Sequence, residues 1–196
     1  NEKHLNQWGL LQKSFASAMP FPHLEIRDFL ETTNAKRLAV SVLAEKFREK
    51  DSDLFRFLQT QDLTKTDNFA IKSFHEFWQS KEFLKFIGEI TQTRLKSIDM
   101  SGFIYRPGDY LLAHDDRLEG RKIAYIINLS ENFEEKDGGS LDLFEVEGKH
   151  PVRVARSIMP TFNTLTIFKV LPISFHQVRE ITKDKKGLIL MDHDQL

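Results

Sequence analysis

The chain has 196 residues, with 28 basic and 29 acidic side chains, a formal net charge of −1 and no cysteine. That length suits one domain with a substantial core. The balanced charge gives no global field toward nucleic acid or an anionic membrane, and the missing thiols exclude disulfides and thiolate metal sites. No apolar run approaches the ~20 residues a bilayer span needs and nothing at the start reads as a signal peptide, so the expectation is a cytoplasmic protein, with the nucleus open to it in a eukaryote.

From Leu5 to Ala18, Leu5, Trp8, Leu11, Phe15 and Ala18 recur at helical spacing, and Met19-Pro20-Phe21-Pro22 stops the helix because proline lacks the donor and restricts its neighbour. His23 to Phe29 alternates as a short strand, with His23 a solvated or satisfied histidine rather than a ligand. Glu31 to Lys50 reads as an amphipathic helix with Leu38, Val42, Leu43, Ala44 and Phe47 inward. Residues 51–68 hold no period. They are expected as a loop with a short helical piece, either a surface connection or a carrier of substrate contacts. Ile71 to Leu95 returns to helical spacing as two helices broken near Ser80, its aromatic stripe packing a core and His75 lying off the stripe in solvent.

After Ser97 short β-prone runs alternate with Gly, Pro, Asn and Asp. Strands are expected at 101–105, 110–114, 121–129, 140–145, 152–157, 164–170, 174–180 and 187–191. Helices followed by about eight strands give an α+β protein. Residues 1–98 are mainly helical support with one early strand, and 99–196 form a jelly-roll-like barrel, the whole a single domain.

The run YRPGDYLLAHDDRL, Tyr105 to Leu118, sets His114 and Asp116 two residues apart, and in a strand such neighbours share a face. His176, in LPISFHQV, lies on another β-prone run. Two imidazoles and one carboxylate on one face of a metal leave the other face open, which suits non-haem Fe(II) oxygenases. The plainer alternative makes His114 and Asp116 a surface turn with Asp115, and His176 a core histidine. His150 and His193 read as exposed. Arg121-Lys122 and Arg153-Arg156-Arg179 are either scattered surface charge or the lining of a peptide groove.

YRPGDYLLAHDDRLEGRKIAYIINL, DGGSLDLF and LPISFHQV together resemble the iron and 2-oxoglutarate dependent prolyl hydroxylase superfamily, and within it the catalytic domain of the enzymes that hydroxylate a ribosomal small-subunit protein. PFPHLEIRDFL is similar to the segment that opens those domains. The resemblance implies a double-stranded β-helix (jelly-roll, cupin-like), with Fe(II), 2-oxoglutarate as co-substrate, succinate and carbon dioxide as co-products, and ascorbate as a supporting reductant. It implies a protein substrate containing proline, and neither a membrane nor a nucleic-acid partner. It matches His114, Asp116 and His176 to the iron ligands, Tyr105 to a tyrosine that holds the co-substrate, and Tyr110 to one near metal and substrate.

The sequence departs from that pattern in one region. The family's arginine for the far carboxylate of 2-oxoglutarate falls on Gly187, or on Leu188 as the alternative, and a tyrosine partner is replaced by Asn128. Asn128, Lys185 and Lys186 are the candidates to take over that carboxylate, with Lys122 a further cation on the strand of Asn128. Two function classes therefore stand: a dioxygenase, favoured by the intact triad, and a non-catalytic or altered-co-substrate barrel that recognises a protein, favoured by the missing arginine.

Overall fold

The computed structural model describes residues 8–117, 120–182 and 185–191. The expected helix start at Leu5, Leu118 and Glu119 of the LEGRK run, Lys183 and Asp184 of the KDKK turn, and His193 lie outside them. Four helices and eleven strands follow in order: α1 Trp8–Ser17, β1 His23–Ile26, α2 Thr32–Leu43, β2 Phe47–Ser52, β3 Phe55–Thr60, α3 Phe69–Trp78, α4 Lys81–Thr91, β4 Ser101–Tyr105, β5 Tyr110–His114, β6 Ile123–Asn128, β7 Leu141–Glu147, β8 His150–Ile158, β9 Thr164–Lys169, β10 His176–Val178 and β11 Gly187–Met191.

All strands pair antiparallel in one continuous sheet, in the order β1-β9-β6-β11-β4-β3-β5-β10-β7-β8, with β2 flanking β3. The sheet curls into the double-stranded β-helix expected from the sequence. Strands in its middle are apolar on both faces, as strands covered on both sides must be. On β11, Leu188 and Leu190 pack toward the helices with Trp78, Phe83 and Ile87, while Ile189 and Met191 turn into the barrel with Phe103, Tyr105 and Leu143. The pleat thus separates two cores.

The helix boundaries have local causes. Asn68 Oδ1 accepts from the Ala70 and Ile71 amides to open α3, and Ser80 Oγ accepts from the Phe83 amide to open α4, so the break expected near Ser80 is an N-cap.

The expected helix 31–50 is corrected. It ends at Leu43, leaving Leu43 and Ala44 exposed, and the chain turns into the β2–β3 hairpin. The expected loop at 51–68 is corrected too, because β3 lies inside the sheet between β4 and β5. Strand β2, FREKDS, is almost wholly exposed and has no apolar alternation to betray it. Burial of Phe57 against Phe103 and Tyr105 is what pins β3.

The turn between β4 and β5 is built by its sequence. Gly108 takes φ +84°, which favours glycine. Asp109, buried, accepts from the Arg106 amide at 2.8 Å and from its guanidinium at 3.0 Å, and Arg106 reaches on to Glu49 of β2 at 2.7 Å. The two carboxylates hold the guanidinium above its ordinary pKa, through hydrogen bonds first.

Candidate metal centre

His114 and His176 face each other across β5 and β10 as a register pair, with ring centroids 4.2 Å apart. Two residues farther along β10, Val178 pairs with Leu111 instead of Leu112, so β5 carries one extra residue. That bulge turns His114 to the inner side already occupied by Leu111, against the alternation a regular strand would impose. Asp116 is not on the strand at all. It lies beyond β5 in the left-handed conformation, φ +56°, and this turn, not the pleat, returns its carboxylate to the histidines. The expected convergence is present, and its cause is corrected: a bulge and a turn replace simple i, i+2 geometry.

One ligand atom from each of His114, Asp116 and His176 lies within 4.8 Å of the others. Asp116 Oδ1 is 3.1 Å from His114 Nε2, and Oδ2 is 3.4 Å from His176 Nε2. Each imidazole is fixed by a carbonyl two residues earlier: His114 Nδ1–H donates to Leu112 O at 2.9 Å, and His176 Nδ1–H to Ser174 O at 2.9 Å. A carbonyl can only accept, so the proton sits on Nδ1 and both Nε2 lone pairs point at the carboxylate. Two lone pairs and an anion facing one another need a cation between them, and this donor set fits Fe(II) with three positions left open.

The supporting roles of the residues around the triad went unread in the sequence. Arg121, only 9 % exposed, places Nη1 3.6 Å from Asp116 Oδ1. Ser174 Oγ donates to Leu171 O at 2.9 Å and reaches Asp115 O at 3.3 Å, tying the approach to β10 onto the Asp116 turn. Asp142 on β7, fully buried, accepts from Ser140 Oγ, Gln177 Nε2 and Arg179 Nη2 at 2.9, 3.1 and 3.0 Å, and so grips the chain just after His176. Burial pushes its carboxyl up; these donors and Ser157 more than reverse the shift. Arg153 pairs with Glu145, Arg156 with Glu25 and Arg179 with Asp142, so these three arginines sit in separate ion pairs.

A cavity opens inside the barrel one pleat repeat from the triad. Val178 follows His176 along β10, and Thr166 and Thr164 follow Phe168, whose ring rests 4.6 Å from that of His176. Tyr105, Asn128 and Gly187 line it, as the sequence reading requires. Of the two positions for the missing arginine, Gly187 faces the cavity and Leu188 faces the helices. Lys185 is bound to the Asp137 carboxylate and the Asn132 carbonyl, its Nζ 5.5 Å above the Phe133 ring; Lys186 is exposed. Neither lysine belongs to the cavity lining, and Lys122 lies outside it. Tyr110 is half-buried on the side of β5 opposite Leu111. His150 is exposed, as expected, whereas His75 is half-buried, with Nε2 shielded from solvent.

Residues 100–191 match the family model of the 2OG-Fe(II) oxygenase superfamily, and the chain belongs to that superfamily. It is 36 % identical over 185 residues to a prolyl 3-hydroxylase OGFOD1 of Xenopus laevis, covering 92 % of this chain and 36 % of that protein. Against a prolyl 3,4-dihydroxylase OGFOD1 of Ostreococcus tauri the identity is 32 % over 196 residues, covering 88 % and 37 %. The chain thus spans about a third of the length of these curated relatives. Among solved structures, a Pseudomonas putida prolyl-4-hydroxylase superposes with a TM-score of 0.76 at 17 % identity, covering 94 % of this chain and 96 % of the other. A Trichoplax adhaerens prolyl hydroxylase in complex with a hypoxia inducible factor peptide gives 0.70 at 15 %, covering 100 % and 94 %. These likenesses share the fold. No helix among the described residues is long and apolar enough to cross a membrane.

Proposed function

We propose that this chain is a single-domain Fe(II)- and 2-oxoglutarate-dependent dioxygenase that hydroxylates a prolyl residue of a protein substrate, in the cytoplasm or nucleus. The sequence resemblance makes a ribosomal protein the first substrate to try. The observation that carries the reading is the convergence of His114, Asp116 and His176 with both Nδ1 protons held by backbone carbonyls. When bound, iron and 2-oxoglutarate supply the oxidant: one oxygen atom of O2 enters the substrate C–H bond, the other enters succinate, and carbon dioxide leaves.

The residues of this chain do the rest. The three ligands take adjacent sites and leave the remainder for co-substrate and dioxygen. Arg121 adds positive charge beside Asp116 and keeps the carboxylate ionised. Tyr105 and Asn128 stand in the cavity wall, and on this reading they would meet the far end of the co-substrate. His114, more exposed than His176, marks the side open to a peptide.

Anaerobic titration of the Fe(II)-loaded protein with 2-oxoglutarate tests this. A visible metal-to-ligand charge-transfer band that saturates, together with loss of bound iron in His114→Ala and in His176→Ala, is the expected result. Iron content unchanged in both variants would refute the triad. Retained iron without a band would favour the second reading, a metal-holding barrel that recognises a protein, for which the absence of any Lys or Arg from the cavity lining among the described residues is the specific observation.

A further inference from the structure

A second and larger hollow lies on the opposite face of the sheet. It is a crevice of about 950 Å³ between α3, α4, the segment 94–99 and the start of β6. Small-molecule sites fall in the range of roughly 300 to 1,000 Å³, with mostly apolar walls and a few converging polar groups. The walls here are Trp78, Phe83, Tyr125 and Ile167. At the rim stand Arg94, Lys96 and Lys122, all exposed; among the described residues none is paired with an acid, and Asp99 is the one acidic residue that lines the crevice.

Two further features lie in the same wall. Trp78 is 2 % exposed, and its indole N–H, shielded from solvent, has no hydrogen-bond partner. His75 Nε2, one helical turn away on α3, is likewise shielded and unpartnered. A buried donor left unmade costs about 1 to 3 kcal/mol, and Trp and Tyr side chains normally find a partner for their polar tip. The segment that closes the crevice is held in place: Gln79 Nε2 donates to Ile98 O at 2.8 Å, and Tyr125 Oη to Asp99 O at 2.7 Å.

We propose that this crevice binds a small anionic ligand the size of a nucleoside monophosphate, its flat ring against the half-buried Leu95, Ile98 and Ile123 and its phosphate among Arg94, Lys96 and Lys122. Three cations with no acidic partner among the described residues, set beside an apolar wall, match such a molecule in charge and size, since guanidinium and ammonium groups hold phosphate strongly and apolar walls hold flat rings. Arg121 belongs to both regions, lining the crevice while its guanidinium contacts Asp116. The two sites therefore meet at one side chain.

The experiment uses the whole chain with Trp8→Phe, which leaves Trp78 as the sole tryptophan. Its emission is followed during titration with adenosine monophosphate, with adenosine and with inorganic phosphate. Saturation by the monophosphate is expected, with the other two weaker by at least about tenfold. Arg94→Glu combined with Lys96→Glu should weaken the monophosphate by a similar factor while melting temperature and iron content stay the same. Failure of the monophosphate to saturate overturns the proposal. So does adenosine or phosphate binding equally well, or an unchanged affinity in the charge-reversed protein. None of these readouts depends on turnover.

Discussion

The two ends of the barrel interior are built on different principles. At the triad, almost every degree of freedom is fixed: both Nδ1 protons are committed to carbonyls, Ser174 ties the two arms together, and Asp142 clamps the strand carrying His176. At the other end, around Gly187, Asn128, Thr164 and Thr166, the lining offers hydroxyl and amide groups but, among the described residues, no Lys or Arg. A carboxylate brought there is met by single neutral donors, without the opposite charge and the bidentate fork that an arginine supplies. The metal end is preorganised and the acid end is not, so iron retention and co-substrate affinity should respond to different substitutions.

The largest effect should come from the clamp. Asp142→Ala leaves Gln177 and Ser140 without their shared acceptor inside the barrel wall, while the half-exposed Arg179 returns to water. The expected loss is about 2 to 3 kcal/mol in urea unfolding, accompanied by weaker iron binding as β10 loosens. Stability unchanged from the parent would show that the strand is held by its backbone ladder alone, and the contrast between the two ends would lose its main support.

Gly187→Arg addresses the other end and runs in the gain direction. A Cβ at Gly187 would meet Ile181 Cδ1 at 3.3 Å, Phe133 Cζ at 3.7 Å and Tyr105 Cβ at 3.8 Å, with the closest contact at the tip of a flexible side chain. The backbone accepts a side chain there, and a guanidinium would supply the cation that the lining lacks. Affinity for 2-oxoglutarate, read from the anaerobic charge-transfer titration, should rise about tenfold, or ~1.4 kcal/mol, with iron affinity unchanged. No gain would mean that the far carboxylate lies elsewhere than beside Gly187.

These two ends were not equally legible in the sequence. The spacing of His114, Asp116 and His176 pointed to the correct cluster, yet for a geometric reason that does not hold: the β5 bulge and the left-handed Asp116 are set by pairing with β10 and by the loop beyond, neither of which shows in a linear pattern. The barrel strands were readable because turn residues punctuate them. The β2–β3 hairpin was not, because FREKDS is a polar edge strand whose partner, not its own composition, makes it β. Arg121 looked like surface charge; only the fold closes over it. For Gly187 the register against Tyr105 decided which of two neighbouring positions faces inward, a question alternation can pose but not answer without a fixed starting residue.

The smallest expected effect concerns the wall behind His176. His23 is buried on β1, its Nδ1–H donates to Phe21 O at 2.8 Å, and its Nε2 is shielded without a partner. Its ring meets Phe21 edge-on, Phe21 meets Phe168, and Phe168 rests on the ring of His176. Burial lowers the pKa of His23 below its ordinary 6.5 and Arg156 adds to the shift, against smaller opposing effects of the Phe21 carbonyl and Glu25. In the unfolded chain the same ring takes its proton near pH ~6.5. Below that pH the unfolded state binds more protons than the folded one, so stability is complete above it and declines on acidification toward the lowered folded value. Melting temperature measured from pH 8 to pH 5 should therefore fall more steeply in the parent than in His23→Phe, whose ring cannot titrate. Parallel curves would mean that the His23 proton is as welcome inside the fold as outside, and that this part of the wall owes its rigidity to ring contacts alone.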